Sequence, residues 1–184
     1  MRLKPNLLLA VLVLSTVSPA GKAQVPSAAN SNSTKAVSPG VLTREQAAAI
    51  LPATVFFRGQ TATIQGRNTS GIKQQDGKLI LFALVDTAGY SSAIQQTYQA
   101  YLLTEVPLTI GDQTLPPGAY GFGFVEDNRL VVMDIGGNEI LHATTTRDAA
   151  LERPNPLQVR PEPTAHRFRL YLGRSYVTLG PATN

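Results

Sequence analysis

The chain has 184 residues and no cysteine, which excludes disulfide staples, thiol chemistry and a lipid-modified cysteine. Its 16 basic and 12 acidic residues give a formal net charge of +4, but Arg2, Lys4 and Lys22 stand in the first 23 residues, where there is no acid. Without that segment 13 basic residues face 12 acidic ones, a net charge of about +1, which does not suit a nucleic-acid partner held by counterion release.

The beginning of the chain has the grammar of a signal peptide. Arg2 and Lys4 form a basic start, Leu7 to Val17 an apolar run, and Ser18-Pro19 breaks it. Gly21 and Ala23 fit small-x-small cleavage, so the expected cut follows Ala23 and the mature chain is exported, to the periplasm or the extracellular space. The apolar run falls short of the roughly 20 residues that span a bilayer, so no stable membrane span is expected after cleavage. Residues 24–41, rich in Ser, Ala, Asn and Pro, read as a flexible linker, and residues 42–184 as one β domain.

Thr43-Arg44-Glu45-Gln46 has capping-box spacing and predicts a short helix from Gln46 to Leu51, ended by Pro52. Thr54 to Arg58 reads as a strand. Thr61, Thr63, Gln65 and Arg67 alternate with Ala62, Ile64 and Gly66 as a half-exposed second one, with turns at Asn68 to Gly71 and Asp76-Gly77. Leu79 to Val85 is the most apolar run after the leader and the candidate central strand. Beyond the Asp86 to Tyr90 loop, Ser92 and Gln95 again have capping-box spacing, and Ile94, Tyr98 and Tyr101 would share one helical face.

Tyr101 to Arg147 reads as four antiparallel strands. Thr104, Val106, Leu108 and Ile110 share one face of an extended segment, in which Pro107 implies an edge or a bulge. Gly111-Asp112 and Pro116-Pro117-Gly118 supply turns. Tyr120, Phe122 and Phe124 then point one way and Gly121 and Gly123 the other, leaving a bare strip that a side chain, backbone or ligand can approach. Leu130 to Ile135 reads as a strand covered on both faces, turned back by Gly136-Gly137-Asn138 into Ile140 to Thr146.

The segment from Ile110 to Gly121, I-G-x-x-x-L-P-x-G-x-Y-G, resembles one that recurs in small exported bacterial β-domains of unknown function. The resemblance extends over the chain from about Leu42. It implies export and an all-β fold, and it brings no catalytic residue.

Arg147 to Glu162 reads as a Pro-rich connection, and two strands follow, His166 to Leu172 and Ser175 to Leu179, joined at Gly173-Arg174. In the first, Phe168, Leu170 and Leu172 would face inward and Arg167, Arg169 and Tyr171 outward. The six basic residues from Arg147 onward are all Arg, a bias that fits a solvated face or an anionic partner. The whole predicts an all-β antiparallel sandwich of about nine strands with one or two short helices; the alternative is a closed up-and-down barrel.

No catalytic signature is intact. Leu84-Val85-Asp86-Thr87 approaches the aspartic-protease pattern, but Ala88 separates Thr87 from Gly89; around Asp134, Ile135 lacks the required hydroxyl. Gly89-Tyr90-Ser91-Ser92-Ala93 approaches a nucleophile elbow, with His142 or His166 as base, yet repeated βα units are missing. His142 and His166 alone make no metal-ligand spacing, and no cofactor motif is present. The sequence therefore favours a non-catalytic binding or interaction module with an unknown ligand or envelope protein as partner. Asp86, Tyr90, Tyr98, Tyr101, Gly121 and Gly123 are the candidate ligand-binding residues, because tyrosines beside a bare glycine strip could stack on a sugar or aromatic ring. A small-ligand carrier of barrel type and a hydrolase using Asp86 or Ser91 are the other readings.

Overall fold

The computed structural model describes residues 40–162 and 167–182. The leader, its cleavage position, residues 24–39 of the linker and His166 lie outside them. Gly40 and Val41, expected in the linker, already belong to the first strand, paired with Lys73 and Ile72.

The chain enters through β1 (Gly40–Leu42) and α1 (Arg44–Ile50), then forms β2 (Thr54–Phe57), β3 (Gln60–Lys73) and β4 (Leu79–Asp86). The short α2 (Ser92–Thr97) precedes β5 (Ala100–Thr104), β6 (Leu108–Ile110), β7 (Gln113–Leu115), β8 (Gly118–Val125), β9 (Arg129–Met133) and β10 (Glu139–Thr144). Then come β11 (Thr146–Arg147), β12 (Leu157–Pro161), β13 (Phe168–Leu172) and β14 (Ser175–Pro181). Sheet A has eight strands in the order β1-β3-β4-β5-β8-β9-β10, with β2 against β3; sheet B has six in the order β12-β13-β14-β6-β7, with β11 against β14. Both are antiparallel, and each is an open path. The fold is an all-β sandwich, and the barrel alternative falls.

The period-2 pattern of the strands explains the layers. Ile80 and Phe82 of β4, Ala100 and Leu102 of β5, Tyr120 and Phe122 of β8, and Leu130 and Val132 of β9 point into the space between the sheets. Sheet B answers with Leu108, Ile110, Leu157, Val159, Leu170, Val177 and Leu179. Sheet A is apolar on its other face as well, which is why β4 and β9 read as continuous apolar runs. There Leu81 and Ala83 lie under Ala47 and Leu51 at the α1 end, while Val131 and Met133 lie under Val55 and Phe57 of β2. α1 is held as its sequence predicts: Thr43 Oγ1 accepts from Gln46 N at 3.2 Å, and Gln46 Oε1 accepts from Thr43 N at 2.8 Å.

Several local expectations are corrected. Asn68 to Gly71 is no turn but part of β3, where the register slips between Ile64 and Thr69, four residues of β3 opposing one of β4. Side-chain bonds close this bulge: Thr69 Oγ1 donates to the Arg44 carbonyl at 2.9 Å, and Asn68 Nδ2 to Gln65 Oε1 at 2.9 Å. The segment from Thr104 to Ile110 is not one strand. It leaves sheet A after Thr104 and enters sheet B at Leu108, with the bend fixed by Thr104 Oγ1 donating to the Val106 carbonyl at 2.6 Å. Pro107 stands at that crossing, just before β6, where no ladder donor is needed. Residues 157–161 of the expected connection form the edge strand β12, a place that tolerates Pro161. Tyr101 belongs to β5 and not to α2, and Tyr171, expected to face solvent, is only 2% exposed.

Candidate functional site

The outer face of sheet A brings five of the candidate residues together, Tyr90, Tyr98, Tyr101, Gly121 and Gly123. Phe57 and Tyr98 stack with ring centroids 3.8 Å apart, and Tyr90 meets Tyr98 edge-on at 5.4 Å. Tyr98 is fully buried and Tyr101 nearly so. Tyr90 donates its hydroxyl to the Phe57 carbonyl at 3.0 Å and so ties the loop before α2 to the β2–β3 turn. The glycine strip is filled by the chain itself. A Cβ at Gly121 would come within 2.5 Å of Phe57 Cε2, and one at Gly123 would overlap the carbonyl oxygen of Thr97 at the end of α2. Aromatic rings and a helix end thus occupy the strip that the alternation leaves bare. Burial pushes the Tyr98 hydroxyl well above its ordinary value, helped by Tyr90 and Tyr101, and that hydroxyl has no hydrogen-bond partner. What stays open is a shallow cleft of about 240 Å³ lined by Arg58, Gln60, Tyr90, Ser91 and Ile94.

The groups considered for catalysis do not converge. Through the registers of β4, β5, β8 and β9, Asp86 lies level with Leu130 and Asp134 level with Phe82. Three strand spacings across and four residues along put them about 14 Å and about 13 Å apart in the two directions. Each carboxylate closes its own turn: Asp86 Oδ1 accepts from Ala88 N at 3.0 Å, and Asp134 Oδ1 accepts from Asn138 N at 2.9 Å. Those turn bonds, led by the Asn138 side chain, hold the Asp134 carboxyl below its ordinary value. Ser91, not Ser92, is the N-cap of α2 and makes no capping bond, so the capping box expected of Ser92 and Gln95 does not form. His142 lies on β10 with Nε2 3.5 Å from a Glu139 oxygen. Among the described residues no three His, Cys, Asp or Glu side chains gather as a metal site.

The outer face of sheet B is different. Pairing of β12, β13 and β14 lays two rows across it, Arg160–Arg169–Thr178 and Gln158–Tyr171–Tyr176. Arg160 and Arg169 are direct cross-strand partners, a like-charge pair that costs stability when nothing lies between. The guanidinium carbon of Arg169 sits 4.6 Å from the Tyr176 ring centre, and that of Arg160 sits 5.7 Å from the Tyr171 ring centre. Glu162 takes up part of the charge, with Oε1 3.1 Å from Arg169 Nη2. Tyr171 donates its hydroxyl to Asp148 Oδ2 at 2.9 Å, and Arg174 Nη1 donates to the Leu151 carbonyl, so the 148–152 loop covers one side of the face. Arg160 stays exposed, and Arg169, Tyr176 and Thr178 are half-buried.

Beside this face, between the β3 bulge and β12, lies a cleft of about 250 Å³. Arg44, Arg67, Asn68, Asn155 and Gln158 line it. Gln158 belongs to both places: its Oε1 accepts from Asn155 Nδ2 at 3.4 Å and from Arg160 Nε at 3.2 Å. The arginine bias after residue 147 is the sequence signal for this surface. The pairing that aligns Arg160 with Arg169 depends on β12, which the sequence reads as a connection.

Among the described residues no helix is long and apolar enough to cross a membrane. Comparison of the chain with protein-family models, with curated proteins and with solved structures gives no match.

Proposed function

We propose that this chain is an exported, non-catalytic binding module of the envelope or extracellular space, and that it holds anionic partners on the outer face of sheet B. The observation that carries the reading is the cross-strand pair of Arg160 and Arg169 on an open face. Two guanidinium groups facing each other repel; an anion between them removes the repulsion and gains charge-assisted hydrogen bonds. The Tyr171 and Tyr176 rings, 5.7 Å and 4.6 Å from the Arg160 and Arg169 guanidinium carbons, restrict the two side chains before an anion arrives. The leader grammar and the resemblance of residues 110–121 to exported β-domains support export. The separation of Asp86 from Asp134, each closing its own turn, supports the non-catalytic part.

The test expresses the whole chain with a C-terminal tag, fractionates the culture and sequences the protein's N-terminus. A mature form beginning near Gln24 outside the cytoplasm is expected; a full-length cytoplasmic product sinks the export reading. The recovered protein is then run on immobilised heparin. Retention that weakens between about 50 and 200 mM salt, and that drops in Arg160→Gln, is the expected result. Flow-through at low salt removes the anion-binding reading.

A further inference from the structure

The open face of sheet B and the cleft beside it share Gln158, and that continuity says more than the face alone. Resting on the reading above, we infer that the two form one track for an acidic polysaccharide, with the cleft taking a single acidic sugar residue through Arg44 and Arg67. The charge is placed for it. Residues 147–174 carry six Arg against Asp148, Glu152 and Glu162, while residues 24–146 carry seven basic and nine acidic side chains. The arginines of the cleft, Arg44 and Arg67, come from the other sheet's side and extend the positive rows past the edge strand β12.

The chemistry of the lining separates a polysaccharide from a nucleic acid. Single strands are held by stacking bases on free aromatic faces. Here the two outer tyrosines are already capped, Tyr176 by Arg169 and Tyr171 by Arg160, and Tyr171 is buried. What the face offers is planar guanidinium, whose fork matches a carboxylate or sulfate in two hydrogen bonds. The cleft adds the Asn155 and Gln158 amides, groups that hydroxyls can bond. At about 250 Å³ it lies below the range of drug-sized pockets, a size for one ring and not for a free multi-ring ligand. Gln158 Nε2 is a buried donor without a partner at the junction of cleft and rows.

Binding of the purified full chain to polygalacturonate, heparin, dextran and poly(dT) at low salt tests the inference, with Tm confirming that each variant folds. Polygalacturonate and heparin are expected to bind and dextran to fail, with poly(dT) at least about tenfold weaker than polygalacturonate. Arg160→Gln should weaken both acidic glycans by about tenfold, and Arg44→Gln with Arg67→Gln should weaken trigalacturonate by a similar factor. If Arg160→Gln weakens binding and the double variant does not, the cleft is no subsite, while the anion-binding face stands. If neither variant changes binding, both readings fall. Poly(dT) binding as tight as polygalacturonate overturns the polysaccharide in favour of a nucleic acid. Arg160 is exposed and Arg44 and Arg67 lie at the surface, so these changes leave the core intact.

Discussion

The outer faces of the two sheets both carry tyrosines, and they use them in opposite ways. On sheet A, Tyr90, Tyr98 and Tyr101 lie together with Phe57 of β2; Gly121 makes room for Phe57 and Tyr98, and Gly123 for the end of α2 at Thr97. On sheet B, the Tyr171 and Tyr176 rings meet at 5.1 Å, and each also carries a guanidinium group, Arg160 on Tyr171 and Arg169 on Tyr176. The difference lies in what covers the rings. On sheet A, Gly121 stands opposite Tyr101, and Phe57 and Tyr98 fill the strip that the glycine leaves bare. On sheet B, Tyr171 and Tyr176 face each other across the strands; the 148–152 loop buries Tyr171, while Tyr176 stays half-buried beside Arg169.

The covered face breaks first at its glycines. Gly123→Ala puts a methyl group into the Thr97 carbonyl, a backbone contact that no rotamer change relieves. The expected loss is about 3 kcal/mol or more, measured by urea denaturation. Gly66→Ala on β3, where no heavy atom lies within 4 Å, is the control and should stay within about 0.5 kcal/mol. Equal losses at the two positions would mean that the strip is not filled as described.

A second change should stabilise. Tyr98 places a hydroxyl without a partner in the apolar layer against Phe57. Tyr98→Phe keeps the stacked ring and removes the orphan, for a gain of about 1 kcal/mol. The same hydroxyl sets a pH dependence. Its folded-state pKa is raised above the ordinary 10.0, so the unfolded chain gives up this proton first as pH rises. Below about pH 10 the hydroxyl is neutral in both states and stability does not change with pH on its account; above it ionisation favours the unfolded chain and stability declines. Tm measured from pH 8 to pH 11 should fall more steeply in the wild type than in Tyr98→Phe; parallel curves would show that Tyr98 reaches solvent when folded.

The parts legible in the sequence were the local ones. Alternation in Tyr120 to Phe124, turn residues at Gly111-Asp112 and Gly136-Gly137-Asn138, and the Thr43 capping box each depend on neighbours within a few residues. The bulge between Ile64 and Thr69 was hidden because it is a slip of register against β4, and its bonds to Arg44 and Val85 reach twenty or more residues along the chain. The crossing at Pro107 and the strand at Leu157–Pro161 were hidden for the same reason, since both exist only against β14 and β13. The candidate site suffered most: Arg160 and Arg169 become a pair only through that long-range register.

The smallest effect compares the two helices, and it also weighs the hydrolase reading. Thr43 and Ser91 are the N-cap residues of α1 and α2, but the capping-box spacing runs from Thr43 to Gln46 in the first and from Ser92, one residue too late, to Gln95 in the second. Only Thr43 makes the bonds; the Ser91 side chain makes none. Thr43→Ala should therefore cost about 1 kcal/mol, while Ser91→Ala should cost a few tenths at most, because α2 is held by the Tyr90 and Gln95 contacts instead. Gln95 Nε2 donates to the Tyr90 carbonyl at 2.8 Å and fixes the loop without the serine. A silent Ser91→Ala in both stability and any esterase assay fits a residue that is neither cap nor nucleophile. Loss of a measured esterase activity, with Tm unchanged, would make the cleft at Tyr90 an active site and reverse the roles assigned to the two faces.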